Sequence, residues 1–204
     1  MAMRRFALAV AVILGVMASG CALTTSNLNI AYDPAKAHPG PLSTVKPLSL
    51  EVKDLKDARP EKDKIGYKRN LYGQKLGHIL AAKPVPEIVG EAIVTEFQKN
   101  GHVLNTVDPD LVISGEVTAF WFDAQVGFAT VQFIGTVNAS LTFTNRATNE
   151  TLLTNSYQGY YDEESLGGLE GTWEHVMSTA LERMVNQMST DPKLIQALTV
   201  AKPN

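Results

Sequence analysis

Between Leu111 and Phe143 apolar and polar residues alternate with period two over most of the stretch, and no other feature restricts the fold as strongly. Over 111–123 the odd positions Leu111, Ile113, Val117, Ala119 and Trp121 are apolar, while Ser114, Glu116 and Thr118 lie between them. Over 129–143 the odd positions Ala129, Val131, Phe133, Val137, Ala139, Leu141 and Phe143 are apolar, against Thr130, Gln132, Thr136, Asn138, Ser140 and Thr142. Successive side chains of a strand point to opposite faces, so each run predicts a half-buried strand with its odd face on the core. For odd residues to face odd residues across an antiparallel pair, the loop must hold an odd number of residues. Gln125-Val126-Gly127 fits, with Gly127 left-handed, and this register sets Trp121 opposite Val131. On the even face, otherwise largely polar, Phe120, Phe122 and Phe128 gather near the tip, with Ile134 further along. With the odd face on the core, these four form an outward apolar patch of the kind that marks a partner site, unless a loop or the N-terminal segment covers it.

Other periods flank this meander. Leu48, Leu50 and Val52 alternate with charged or polar residues and predict a first strand over Pro47–Asp54, and Leu153, Tyr157 and Tyr161 predict a third meander strand over Thr151–Tyr161. Pro84 and Pro86 open a helix whose Ile88, Val89, Ala92, Ile93 and Phe97 form one stripe, ended by Gly101. Thr172 is placed to cap a second helix to Met188, with Trp173, Val176, Met177, Ala180, Leu181, Met184, Val185 and Met188 on one face. Asp191-Pro192 starts a short last helix. Asp54–Tyr72 reads as a solvated charged loop, and Asp162–Gly171 as an acidic, glycine-rich one. The fold class is α+β: a two-layer sandwich in which a mixed or antiparallel sheet with a central β-meander is covered on one face by two amphipathic helices.

The N-terminus carries an export signal. Arg4 and Arg5 precede an apolar run from Phe6 to Met17, too short to span a bilayer comfortably, and the small residues Ala18, Ser19 and Gly20 then lead to Cys21, the only cysteine of the 204 residues. This is the arrangement of a lipoprotein signal, residues 1–20, cut before a cysteine whose thiol receives diacylglycerol and whose amine is acylated, although Ala18 stands where leucine is usual. The alternative is an unacylated signal cut near the same place. Ala22, not aspartate, follows Cys21, which implies the outer membrane, facing the periplasm. Residues 21–46, broken by Pro34, Pro39 and Pro41, read as a lipidated flexible linker ahead of a domain at 47–204, holding it roughly 25–30 Å from its anchor. Leu28, Ile30 and Tyr32 alternate and offer an edge strand as the other reading.

Charge and motifs exclude several functions. Without residues 1–20 the chain has 16 basic against 21 acidic residues and no basic block, so it offers neither a nucleic-acid footprint nor an electrostatic grip on anionic lipid. His38, His78, His102 and His175 show no metal-ligand spacing, Asp162-Glu163-Glu164 lacks the spacing of a calcium loop, and no Gly-x-Ser-x-Gly elbow occurs. Gly167-Gly168-Leu169-Glu170-Gly171 precedes a helix, but Glu170 and Glu174 would repel a phosphate there. No cofactor, metal or catalytic residue is indicated.

The order of these pieces resembles the YajG-type family of small bacterial lipoproteins. The resemblance rests on Cys21 after a signal, a first strand followed by Asp57-x-Arg59, Phe97-Gln98-Lys99-Asn100-Gly101 closing the first helix, Asp110-Leu111-Val112-Ile113 entering the meander, and Asp191-Pro192-Lys193-Leu194-Ile195 after the last long helix. It implies an outer-membrane lipoprotein and supplies no reaction or catalytic residues. The expectation is therefore a non-enzymatic module, held to the membrane by acyl chains on Cys21, that binds another envelope component. The alternatives are an accessory subunit of an envelope transport or lipid and lipopolysaccharide assembly complex, or a periplasmic enzyme.

Overall fold

The computed structural model describes residues 25–36, 39–105 and 107–200. In chain order the elements are β1 (Ser26–Leu28), a 3-10 turn (Pro41–Thr44), β2 (Ser49–Val52), β3 (Lys56–Asp57), β4 (Gly66–Arg69), β5 (Lys75–Ala81), α1 (Val85–Lys99), β6 (Val103–Leu104), β7 (Leu111–Val126), β8 (Val131–Asn145), β9 (Thr151–Ser165), α2 (Glu170–Ser189) and α3 (Pro192–Val200). The expected α+β sandwich is what forms: the strands make one mixed nine-stranded sheet. β7, β8 and β9 are its antiparallel frame. The other side of β7 is lined along its length by three short parallel strands, β2 at Leu111–Ile113, β3 at Glu116–Val117 and β4 at Phe122. β5 pairs antiparallel with β4, and β1 lies parallel on β5.

α1 and α2 bury the predicted stripes, including Ile88, Val89, Ala92, Ile93 and Phe97 on α1 and Val176, Met177, Ala180, Leu181, Met184, Val185 and Met188 on α2. Two glycines allow α2 to lie directly on the sheet. A Cβ on Gly159 of β9 would stand 1.9 Å from the Ala180 carbonyl oxygen, and one on Gly135 of β8 would stand 2.8 Å from that of Val176. α2 begins at Glu170 after Leu169, so Thr172 sits inside its first turn and does not cap it. The Glu170 carboxylate instead accepts a hydrogen bond from the Ser26 hydroxyl. Asp191 does open α3: its Oδ1 accepts the Lys193 N–H at 2.9 Å, while Oδ2 accepts the hydroxyl of buried Tyr157 at 3.0 Å and the Asn155 amide at 2.9 Å. Burial works to raise the Asp191 carboxyl, but these donors outweigh it and its pKa is lowered.

The meander departs from the expected register. Val117 pairs with Ala139 and Ala119 with Asn138, so Thr118 is an extra residue, a β-bulge. Below the bulge odd residues pair with odd ones, as expected, and Ile113 faces Phe143. Above it the phase reverses: Trp121 faces Thr136 rather than Val131, Ala124 faces Phe133, and the turn comprises the four residues 127–130. One inserted residue flips every following side chain to the opposite face. Phe120 and Phe122 therefore enter the core, each 1 % exposed, and the outward apolar patch is not formed. Phe122 stacks on Phe133 at 6.0 Å and meets Trp173 at 5.6 Å. Ile134 is half-buried, and Phe128 at the turn is fully exposed.

Three further expectations are corrected. The flexible linker does not extend past Ser26, because β1 pairs with β5 and Leu28, Ile30, Leu42 and Val45 are buried. The alternating Leu28, Ile30 and Tyr32 marked that segment, and its prolines fall beyond β1, where no ladder bond is lost. The solvated loop over Asp54–Tyr72 contains β3 and β4, and β5 follows inside the stretch between Glu61 and Val85. The acidic loop is shorter than expected, since β9 continues to Ser165.

Candidate functional site

The segment from Ser26 to Val45 is a strap fastened across both long helices. The Tyr32 hydroxyl donates to Oε2 of buried Glu96 on α1 at 2.6 Å, and the Gly40 N–H donates to Asn100 Oδ1 at 2.8 Å. The Asn29 N–H donates to Glu174 Oε1 at 2.6 Å, and Lys36 pairs with Glu182 at 3.0 Å, both on α2. His102 closes the far end: its Nδ1 accepts the Leu48 N–H at 3.2 Å, and its Nε2 lies 3.3 Å from the Leu42 carbonyl oxygen. A ring that accepts at Nδ1 and donates at Nε2 is neutral. Burial lowers its pKa, only partly offset by the Leu42 carbonyl. His102 is thus a structural residue.

A second polar constellation fixes the stretch after β3. Arg59 is 5 % exposed; its Nε and Nη2 bind both Asp57 carboxylate oxygens at 2.9 and 2.8 Å, while Nη1 and Nη2 reach the carbonyls of Lys64 and Lys62, each at 3.0 Å. Burial tends to raise the Asp57 carboxyl, but hydrogen bonds and charge from Arg59 prevail and lower it. The pair makes this segment an ordered wall of the domain, and the spacing Asp57-x-Arg59 was its sequence signal.

A surface groove of about 780 Å³ runs between α1 and the β2–β3 connection. Its lining includes Gly90 and the apolar Val52, Leu55, Pro84, Pro86, Val94 and Leu104, and Lys53, Asp54, Glu87 and Glu91 supply its charges. Beyond it, Val103 and Val107 are exposed. The Thr95 hydroxyl is held by the Glu91 carbonyl at 2.8 Å, and the lining pairs no nucleophile with a base. Such a groove can hold an apolar group at a charged rim. Sequence reading missed it because β2 and the β2–β3 connection are far along the chain from α1 and β6.

Of the residues singled out from sequence, Ala18, Ser19, Gly20, Cys21 and His38 lie outside the described residues. His78 is exposed beside the Tyr67 ring, and exposed His175 stands 3.7 Å from Glu163. Asp162 and Glu164 project from β9 toward Gln132 and Thr130, which donate to them. Among the described residues no three His, Cys, Asp or Glu side chains are grouped to hold a metal ion.

These features define an α+β domain with helices packed on an open mixed sheet, a fastened N-terminal strap and a surface groove, and no described helix is long and apolar enough to cross a membrane. The chain belongs to the Lipoprotein_16 family of uncharacterized lipoproteins, whose model matches residues 41–199, in agreement with the YajG-type resemblance. Membership in that family and the lack of such a helix fit a lipid-anchored envelope protein. No curated protein matches the sequence. Among solved structures, protein XCC0632 of Xanthomonas campestris, a member of DUF330, is similar at 13 % identity and a TM-score of 0.54, over 85 % of this chain and 96 % of that one. Lipoprotein GNA1162 of Neisseria meningitidis is similar at 15 % identity and a TM-score of 0.30, over 69 % and 99 % of the two chains. At these identities the first likeness concerns the fold alone.

Proposed function

We propose that the protein is acylated at Cys21, faces the periplasm from the outer membrane, and acts there as a non-enzymatic binding module that holds an apolar segment of another envelope component in the α1 groove. The groove carries this reading: it offers about 780 Å³, it is lined by apolar side chains with charges around them, and its lining presents no nucleophile beside a base. Val52, Pro84, Pro86, Val94 and Leu104 are accessible apolar contacts of the groove, so a partner's side chains would bury against them.

Photo-crosslinking from position 94 in growing cells tests this. A discrete adduct that Gly90→Arg abolishes, while the variant's unfolding midpoint stays at the wild-type value, is the expected result. No adduct at position 94 or 104 overturns the groove reading. A partner recovered in fixed ratio from a transport or assembly complex would make the module an accessory subunit of that complex. Acylation is checked separately, by palmitate labelling that Cys21→Ala removes.

A further inference from the structure

We infer that the end of the sheet carrying the β4–β5, β7–β8 and β9–α2 connections rests on the lipid surface that anchors Cys21, with Leu71, Tyr72, Phe128, Leu166 and Leu169 set into the interface. The inference rests on acylation of Cys21.

Strand directions bring the three connections together. β4 runs parallel to β7, and β9 runs parallel to β7 because both are antiparallel to β8. All three strands therefore finish at one end, at residues 70–74, 127–130 and 166–169. Six large hydrophobic side chains are more than 80 % exposed among the described residues, and five of them are in these connections: Leu71 81 %, Tyr72 90 %, Phe128 109 %, Leu166 86 % and Leu169 83 %. The sixth, Val107, lies near the opposite end, before β7 begins. A cleft of about 200 Å³ between the connections has Phe133 and Trp173 in its wall and continues the apolar surface inward.

The N-terminus approaches from the same end. β5 descends from the β4–β5 connection, and β1 is parallel to it, so the chain enters β1 from that side. Ser26 is held to Glu170, the first residue of α2, just beyond Leu169. Ser26 is level with Ile79, four residues below the start of β5 at Lys75, which is about 13 Å at strand rise. Only five peptide steps separate Cys21 from Ser26, and five residues reach at most about 17 Å. The anchor can pass the start of β5 by only about 4 Å, so the connections and the acylated residue meet one surface at nearly the same height. Contact is apolar rather than electrostatic: of the cations flanking the β4–β5 connection, Lys68, Arg69 and Lys75, Arg69 is paired with Asp123 and Lys75 lies over the Tyr67 ring, and Glu164 and Glu170 lie beside the exposed side chains. The strap makes this possible: a free linker over 21–46 would leave the orientation open.

The test uses the full acylated chain reconstituted into phosphatidylethanolamine–phosphatidylglycerol vesicles containing bromine-labelled lipid. With Trp121 and Trp173 replaced by phenylalanine, Phe128→Trp places a single reporter at the proposed contact and Val107→Trp one at the opposite end; both positions are exposed. The expected result is quenching of the Phe128→Trp signal at least about twofold above that of Val107→Trp, unchanged by added salt. Intact-mass measurement on the same samples reads the acyl chains. An acylated protein in which both reporters are quenched alike overturns the seating and would assign these side chains to a protein partner. A mass without acyl chains refutes the acylation reading, and the seating with it.

Discussion

Adding one methyl group to Gly159 should unseat α2. The new Cβ would lie 1.9 Å from the Ala180 carbonyl oxygen, 2.6 Å from the Met184 nitrogen and 2.9 Å from the Met184 Cβ. Two of these atoms are helix backbone, so no rotamer change relieves the clash, and reaching an ordinary contact requires α2 to recede by about 1.5 Å. A gap of that size forfeits about half or more of each dispersion contact along the seam. The seam includes Val176, Ala180 and Met184 against Val137, Ala139 and Tyr157, all buried. We expect Gly159→Ala to cost about 3 kcal/mol or more, at the upper end of overpacking. For a chain of this size that lowers Tm by about 6–12 °C. Urea unfolding followed by the fluorescence of Trp121 and Trp173 measures it. Gly167→Ala is the control, because a Cβ there meets nothing within 4 Å. A Gly159→Ala protein within about 1 kcal/mol of wild type would refute the claim that the glycine sets the helix-to-sheet distance.

Arg59→Met leaves the Asp57 carboxylate and two carbonyls without their donor and should cost about 3 kcal/mol in urea unfolding, with part recovered when Asp57→Leu is added. Because His102 is held below its ordinary pKa, its contribution is complete above about pH 6.5 and is lost as pH falls through the lowered value; unfolding midpoints should decline over that window in wild type and stay flatter in His102→Gln. Asp191 is also lowered, so its contribution is present above about pH 4 and lost on further acidification; Asp191→Asn should show a shallower acid limb and a lower midpoint at pH 7. Tyr157→Phe removes a buried hydroxyl bonded to Asp191 and should cost about 1–2 kcal/mol in the same assay.

Local pattern was enough for the long elements. Period two wrote β7 to β9 into the chain, and the spacing of Trp173, Val176, Met177 and Ala180 wrote α2, because a strand or helix long enough to bury one face must repeat its apolar residues at its own period. The same reading failed above Thr118. A bulge adds one residue without changing composition, and both phases of 119–124 contain apolar residues, Ala119 and Trp121 on one and Phe120, Phe122 and Ala124 on the other. Which phase faced inward was settled by Phe133 and Trp173 arriving from β8 and α2.

The short strands and the candidate sites belonged to tertiary structure for a related reason. β3, β4 and β6 have two to four residues each, too few to show a period, and exist because β7 or β2 offers a free ladder edge, while β1, hinted at by the alternation of Leu28, Ile30 and Tyr32, forms on the edge of β5. The α1 groove joins segments separated by tens of residues, and the exposed side chains of three connections share one end only because the strand directions put them there. By itself the sequence determined the meander and the two amphipathic helices, and it carries the single cysteine at which acylation is proposed. The fold decided how near that cysteine the domain is held, since hydrogen bonds to Glu96, Asn100, Glu170 and Glu174 turn a proline-broken tether into a fixed strap.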